Sequence, residues 1–166
     1  MSEVPLGAMY SMINIQPEGG SGMPIYPTVG GLIARMDEGD GGVVFTGIDT
    51  GKVMVEVLSH KVEPDFDNLE DWEDIAWFDV LCPSGGLYGV GFFGDGHTEN
   101  FAPGAGRVRV RCSARGRDID HRGFVQSSQE HYRFDAWLIP DDGSELASGV
   151  IKATSKASAY VMDLYT

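Results

Sequence analysis

The densest group of chemically active side chains is a run of carboxylates in the middle of the chain. Seven acids and no base fall within the twelve positions 63–74: Glu63, Asp65, Asp67, Glu70, Asp71, Glu73 and Asp74. Carboxylate oxygens suit a calcium ion, and Asp65-x-Asp67 resembles the start of an EF-hand loop. Leu69, however, stands where a third oxygen ligand is expected, and the glycine of that loop is missing. We therefore predict no metal site, which leaves a solvated loop or a negatively charged docking surface.

Apolar side chains are interleaved with these acids. Phe66, Leu69, Trp72 and Ile75 recur at every third position. This spacing indicates an acidic loop that apolar residues hold on the protein surface, with Trp72 as an anchor for a partner. The predicted partner-binding residues are Asp65, Asp67, Glu70, Asp71, Trp72, Glu73 and Asp74.

A second group consists of arginines that alternate with apolar residues. Arg107, Arg109 and Arg111 fall on one side of a predicted strand, and the apolar residues between them fall on the other. Side chains on neighbouring strands lie about 4.5–5.5 Å apart, so acids of residues 63–79 are candidates to pair with these arginines. The alternation predicts either a salt-bridged outer sheet face or a face that binds an anion or a partner.

The histidines and cysteines form no recognisable catalytic motif. His97 and His121 each follow an aspartate closely, as an acid–base pair or a metal site requires, but both lie in polar turns where exposed histidines are common. Cys82 and Cys112 lack a C-x-x-C spacing and are predicted to be buried free thiols. No nucleotide-binding or hydrolase motif occurs. We predict that the protein is not an enzyme and uses no cofactor.

The charge balance limits the class of partner. The 166 residues include 25 Asp and Glu against 12 Lys and Arg, a formal net charge of −13. This charge opposes direct binding to nucleic acid or to an anionic membrane and favours a protein partner with a basic surface. The net charge is also compatible with a homo-oligomer. The N-terminus has an acid and no apolar leader, which predicts a cytoplasmic protein.

The elements that must position these residues have the periodicity of strands. Alternating apolar and polar residues, separated by Gly-, Pro- and Asp-rich turns, predict strands near 10–16, 32–36, 43–46, 52–58, 75–82, 87–93, 107–114, 131–139, 148–153 and 159–164. No segment shows a sustained helical stripe. We predict an all-β antiparallel β-sandwich with little helix, whose topology (jelly-roll or immunoglobulin-like) stays open. Residues 1–166 are predicted to form one domain, with 1–25 and 141–166 as extended arms.

The order of features between residues 42 and 140 also resembles a known group of proteins. The stretches that carry the resemblance are 51–57, Asp71-Trp72-Glu73-Asp74-Ile75, 82–87, 103–110, 114–117 and 132–140. They resemble a group of small, uncharacterised actinobacterial β-sandwich proteins and, more remotely, the competence protein J family of acidic nuclease inhibitors. The resemblance covers roughly 100 residues, and its motifs are structural and not catalytic. It implies a sandwich fold and an inhibitory role, but no functional residue carries over.

These observations predict a non-enzymatic acidic interaction protein. Its most concrete form is an inhibitor or immunity-type protein that binds a basic partner such as a nuclease, because clustered carboxylates can occupy a positively charged cleft. Two alternatives remain open. One is a structural or assembly subunit of a larger particle, for example a phage virion. The other is a sandwich that binds a small ligand in a pocket lined by His97, Trp77 or Trp137.

Overall fold

The structure, a computed structural model, describes residues 3–20, 22–66 and 68–165. Within these ranges the chain forms eleven strands and one α-helix. The strands are β1 (Glu3–Ala8), β2 (Met12–Pro17), β3 (Pro24–Val29), β4 (Ile33–Met36), β5 (Gly42–Phe45), β6 (Thr50–His60), β7 (Asp74–Cys82), β8 (Leu87–Val90), β9 (Gly106–Arg115), β10 (Phe124–Leu138) and β11 (Ser148–Ala153). The helix is α1 (Lys156–Leu164), and short 3₁₀ turns cover Asp37–Gly39, Leu69–Asp71 and Phe92–Gly94.

The strands form two sheets. The larger sheet has the order β1-β6-β10-β9-β7-β11, and the smaller has the order β3-β4-β5-β2-β8. Neighbouring strands are antiparallel except for β6 and β10, which pair in parallel. The prediction of an all-β sandwich with little helix is therefore confirmed, with one parallel pair as the departure from it.

Alternation along β9 determines which side chains enter the core. Val108, Val110 and Cys112 are fully buried and pack between the sheets against residues such as Ile13 and Val44 of the smaller sheet. The arginines between them therefore lie on the outer face of the larger sheet. Residues 108–114 of β9 pair with β7 on one side and with β10 on the other, so this outer face is shared by three strands.

The C-terminal segment differs from its prediction. Residues 159–164 were predicted as a strand, but they belong to α1. The Ser155 side chain caps this helix by accepting a hydrogen bond from Ser158 N, and the Asp118 carboxylate accepts hydrogen bonds from the amides of Lys156 and Ala157. Capping of this kind satisfies the free amides of the first turn and so overrides a weak strand-like alternation.

Strands from both terminal segments belong to the two sheets. Strand β1 pairs with β6 in the larger sheet, and β2 lies between β5 and β8 in the smaller one. Near the other end of the chain, β11 pairs with β7. In the part of the chain that the structure describes, no helix is long and apolar enough to cross a membrane.

Candidate functional site

The outer face of the larger sheet brings the strand arginines next to buried carboxylates. Asp79 of β7 is 2% exposed and accepts hydrogen bonds at 2.8 Å from Arg107 Nη2 and from Arg109 Nε. Burial alone would raise the pKa of this carboxyl, but the hydrogen bonds from Arg109 and Arg107 lower it below its usual value. Arg107 and Arg109 thus balance a charge that the sheet has buried.

Arg111 has a different role, because it holds a loop. Its guanidinium donates to the Pro64 carbonyl at 3.2 Å and lies 4.3 Å from the centre of the Phe66 ring. It is also 3.9 Å from the buried carboxylate of Asp135 on β10. Arg111 therefore fixes residues 64–66 over the sheet through carbonyl and ring contacts.

The loop so held is residues 61–73, here called the acidic loop. Lys152 Nζ donates to the Leu69 carbonyl at 3.0 Å, and Glu73 N donates to the Ala114 carbonyl at 3.0 Å. A 3₁₀ turn over Leu69–Asp71 lies in the middle of this loop. The acidic loop is therefore attached to β9, to β11 and, through Arg111, to the sheet face.

Four carboxylates of the acidic loop point into solvent. Glu63, Asp65, Glu70 and Asp71 are exposed. No basic group of the described residues lies within 4.0 Å of them, although three other acids nearby are paired with arginines. Asp67, also predicted to bind the partner, lies outside the described residues.

The last two predicted acids do not share this surface. Glu73 is half-buried, and its carboxylate accepts a hydrogen bond from Gly116 N. Asp74 was predicted to bind a partner, but it is 0% exposed and forms an ion pair with Arg117. As the first residue of β7, Asp74 falls on the same side of the strand as Ala76 and Phe78, and that side faces the interior.

Trp72, predicted as an anchor, is half-buried beside the acidic loop. The Arg115 guanidinium lies 4.8 Å from the centre of its ring. One face of Trp72 is therefore covered by a cation of the same chain.

Two cavities flank Phe66 on this sheet face. The first, of about 210 Å³, contains His60, whose Nε2 lies 2.7 Å from Asp135 Oδ1. The second, of about 250 Å³, is lined by Trp77 and Trp137, while His97 lies elsewhere and contacts the Thr98 carbonyl. Among the described residues, no hydroxyl is hydrogen-bonded to His60.

Sequence reasoning missed two buried charged groups. Arg117 is 0% exposed and donates to Asp74, Ser158 and the carbonyls of Gly31 and Phe45. Glu130 is also 0% exposed and accepts from the amides of residues 47 and 48. Their partners come from distant parts of the chain, so no local spacing signals them. In the described part of the chain, no cluster of three or more His, Cys, Asp and Glu is arranged to hold a metal ion.

Comparison with known proteins gives one remote likeness. No protein family matches the chain, and no curated protein matches it in sequence. Among solved structures, the chain is similar to ComJ from Bacillus subtilis, an inhibitor of the DNA-degrading activity of NucA. The match covers 84% of this chain and 96% of ComJ, at 11% sequence identity and a TM-score of 0.49. No activity or partner follows from a likeness of this size, and the resemblance to actinobacterial proteins stays a prediction.

Proposed function

We propose that this chain is a non-enzymatic binding protein whose acidic loop docks onto a basic surface of a partner protein. One observation carries the proposal. The exposed carboxylates of Glu63, Asp65, Glu70 and Asp71 have no cation among the described residues within ion-pair distance, yet the loop that carries them is fixed. Carboxylates held in this way keep their charge available for another molecule.

Fixing the loop lowers the cost of binding. A flexible loop loses conformational entropy when it docks, whereas a loop that is already ordered loses less. Arg111, Lys152 and the Glu73 amide hold the acidic loop at both ends and in the middle. The array of carboxylates is therefore preformed, as a docking surface for a structured partner requires.

Charge also favours a particular class of partner. Enzymes that act on nucleic acids have positively charged clefts, and a protein with net charge −13 is steered towards such clefts at low salt. We propose that the partner is a nuclease and that docking of the acidic loop blocks its cleft. The contact would be weakened by salt, because screening acts on charges at the surface.

Apolar side chains next to the acidic loop supply the centre of the proposed contact. Phe66 is 45% exposed and separates the two cavities on the sheet face. Interfaces gain most of their affinity from a few buried aromatic groups surrounded by polar contacts. The Phe66 ring, with the tryptophan-lined cavity beside it, has this arrangement.

A matched pair of variants tests the proposal. The first neutralises the exposed acids of the loop: Glu63→Gln, Asp65→Asn, Glu70→Gln and Asp71→Asn. The second neutralises four exposed acids elsewhere, with the same change in net charge: Glu38→Gln, Glu99→Gln, Asp141→Asn and Glu145→Gln. Binding to a panel of purified basic nucleases, and inhibition of their DNA cleavage, is measured at about 0.05 M and about 0.5 M salt.

We expect the wild type and the second variant to bind one of these nucleases and the first variant to lose binding. Equal binding by both variants contradicts a role for the acidic loop. Binding that is insensitive to salt contradicts the electrostatic contact. A lack of binding to every nuclease in the panel contradicts the nuclease as partner.

Light scattering separates this proposal from the assembly alternative. A binding protein of this kind is expected to run as an 18.0 kDa monomer at both salt concentrations. A large assembly that resists salt would instead support a subunit of a larger particle.

A further inference from the structure

A cavity at one end of the sandwich lies apart from the acidic loop. Its volume is about 240 Å³, which is below the roughly 300–1,000 Å³ of pockets for drug-sized ligands. Four separate segments line it: the turn between β1 and β2, residues 45–49, the loop between β9 and β10, and α1. A ligand of this cavity, here called the end cavity, must therefore be small.

The backbone around the end cavity is held in unusual conformations. Tyr10, Ser11 and Arg122 line the cavity and have φ values of 54°, 60° and 63°. This left-handed region is unfavourable for a residue other than glycine, and such residues cluster at functional sites. Ser11 N donates to the Asp49 carbonyl at 2.9 Å, and Arg122 N donates to the Gly47 carbonyl at 2.7 Å. These bonds connect the segments, so the cavity is preformed.

One side of the end cavity is basic. The Arg122 guanidinium lies 4.8 Å from the centre of the Tyr160 ring, and among the described residues it forms no ion pair. His121 meets the same ring edge-on at 5.3 Å. Burial lowers the pKa of His121, Asp118 opposes this shift, and Arg122 and Arg117 add to it. Arg122 therefore supplies the positive charge on the basic side of the end cavity, and its side-chain N–H groups are available to a carboxylate.

The side formed by residues 46–49 and the β1–β2 turn carries a carboxylate and hydroxyl groups. The Asp49 carboxylate accepts a hydrogen bond at Oδ1 from the Thr50 hydroxyl at 2.7 Å. Its Oδ2 accepts none from the described residues, and Ser11 also lines this side. Asp49 can therefore accept a hydrogen bond from an ammonium group.

The remaining lining is apolar. Phe45 and Val161 are 2% and 5% exposed, and Tyr165 lies 5.4 Å from Phe45 between ring centres. An apolar group of a ligand that reaches these side chains would leave water, which favours binding.

These features point to one class of ligand. We propose that the end cavity binds a small zwitterion, namely an α-amino acid with an apolar side chain. Its carboxylate would meet Arg122, its ammonium would meet Asp49, and its side chain would pack on Phe45 and Val161. The arginines of the outer sheet face differ from Arg122, because Arg109 is bonded to Asp79 and Arg111 to loop carbonyls.

Amide chemical shifts measured by NMR test the proposal with defined probes. L-Leucine, L-phenylalanine and L-methionine are titrated to about 10 mM, alongside phenethylamine, which lacks the carboxylate, and 3-phenylpropionate, which lacks the ammonium. We expect amino acids to shift amides of residues 45–49, 119–123 and 160–164. Arg122→Gln should weaken phenylalanine binding about tenfold and leave phenethylamine unchanged. Asp49→Asn should weaken phenylalanine and phenethylamine but not 3-phenylpropionate.

Arg115→Gln is the matched control, because it removes the same charge from an exposed arginine on the Trp72 ring. It should leave every affinity unchanged. The proposal is overturned if none of the three amino acids shifts these amides. It is also overturned if Arg122→Gln leaves phenylalanine affinity intact, or if Arg115→Gln weakens it equally. Because the acidic loop takes no part in this test, the outcome is independent of the proposed docking function.

Discussion

Arg117 and Asp74 form an ion pair inside the protein, with Nη1 2.8 Å from Oδ2 and neither side chain exposed. Arg117 also donates to the carbonyls of Gly31 and Phe45, which belong to the smaller sheet and its turn. Asp74 starts β7 in the larger sheet. The pair therefore connects the two sheets at the end where α1 packs.

Loss of the arginine should destabilise the fold strongly. Arg117→Met leaves the Asp74 carboxylate buried without its cation, and breaking a buried pair costs about 3–5 kcal/mol. Arg115→Met is the matched control, since the Arg115 side chain is exposed and lies over the Trp72 ring, a contact of about 0.5–1 kcal/mol. Urea unfolding measures both free energies. Similar losses in the two variants would contradict a structural role for the pair.

Glu130 should make stability depend on pH in the opposite sense to most carboxylates. Burial raises its pKa above the usual 4.5, although hydrogen bonds from Tyr132 and from the amides of Gly47 and Ile48 oppose the rise. The folded protein therefore holds this proton more tightly than the unfolded chain. The resulting stability is fully present below pH 4.5 and is lost as the pH rises through the folded-state value.

Glu130→Gln isolates this effect, because glutamine has no proton to lose. Between pH 4.5 and 8 the free energy of unfolding of the wild type should fall relative to that of the variant. Asp74 does not interfere, since Arg117 and hydrogen bonds lower its pKa against the effect of burial, so it titrates below this range. Parallel pH profiles for wild type and Glu130→Gln would refute the assignment.

The two cysteines should be unreactive in the folded protein. Burial raises the pKa of Cys82 to about 12 and that of Cys112 well above its usual value, with Asp135 adding to the second shift. Cys82 pairs with Gly106 and Cys112 with Ala76, so six register positions, or roughly 20 Å, separate them. A disulfide needs about 7 Å or less between Cα atoms. Iodoacetamide at pH 8 should modify neither thiol until denaturant is added, and mass spectrometry detects the difference.

The sequence predicts an element of the fold when the residues that determine that element are close together in the chain. The alternation of Arg107, Arg109 and Arg111 with apolar residues predicts the strand and its two faces, because a strand repeats every two residues. The helix at Lys156–Leu164 was missed, since its N-terminus depends on Asp118, about forty positions away. Long-range capping leaves no signal in the local periodicity.

The candidate site shows the same limit. The acidic loop and its apolar residues are visible in the sequence, and so is the charge of each acid. Whether an acid is exposed depends on where the loop ends and the strand begins. Asp74 is the first residue of β7 and is buried, whereas Asp71 still belongs to the loop and is in solvent. The end cavity could not be predicted, because Tyr10, Asp49 and Arg122 belong to three segments that are far apart in the sequence.

Gly31 should not tolerate a side chain. Its φ is +66°, and an added Cβ would lie 2.1 Å from the Ser158 carbonyl oxygen of α1. Gly143 is the matched control, with a φ of +79° and no atom within 4 Å of an added Cβ. Gly143→Ala should cost only the conformational penalty of about 1–2 kcal/mol, and Gly31→Ala should cost clearly more. Urea unfolding compares them, and equal losses would show that α1 can move away from Gly31.

Arg111 should control the order of the acidic loop. Arg111→Met keeps an apolar stem beside Phe66 but removes the donor to the Pro64 carbonyl, so amide hydrogen exchange of Glu63, Asp65 and Phe66 should become faster. Arg133→Met is the matched control, because Arg133 also contacts Asp135 but donates to no carbonyl of the described loop residues. Mass spectrometry locates the exchange. If both variants accelerate it equally, loss of charge around Asp135 is the cause and Arg111 does not act as the tether.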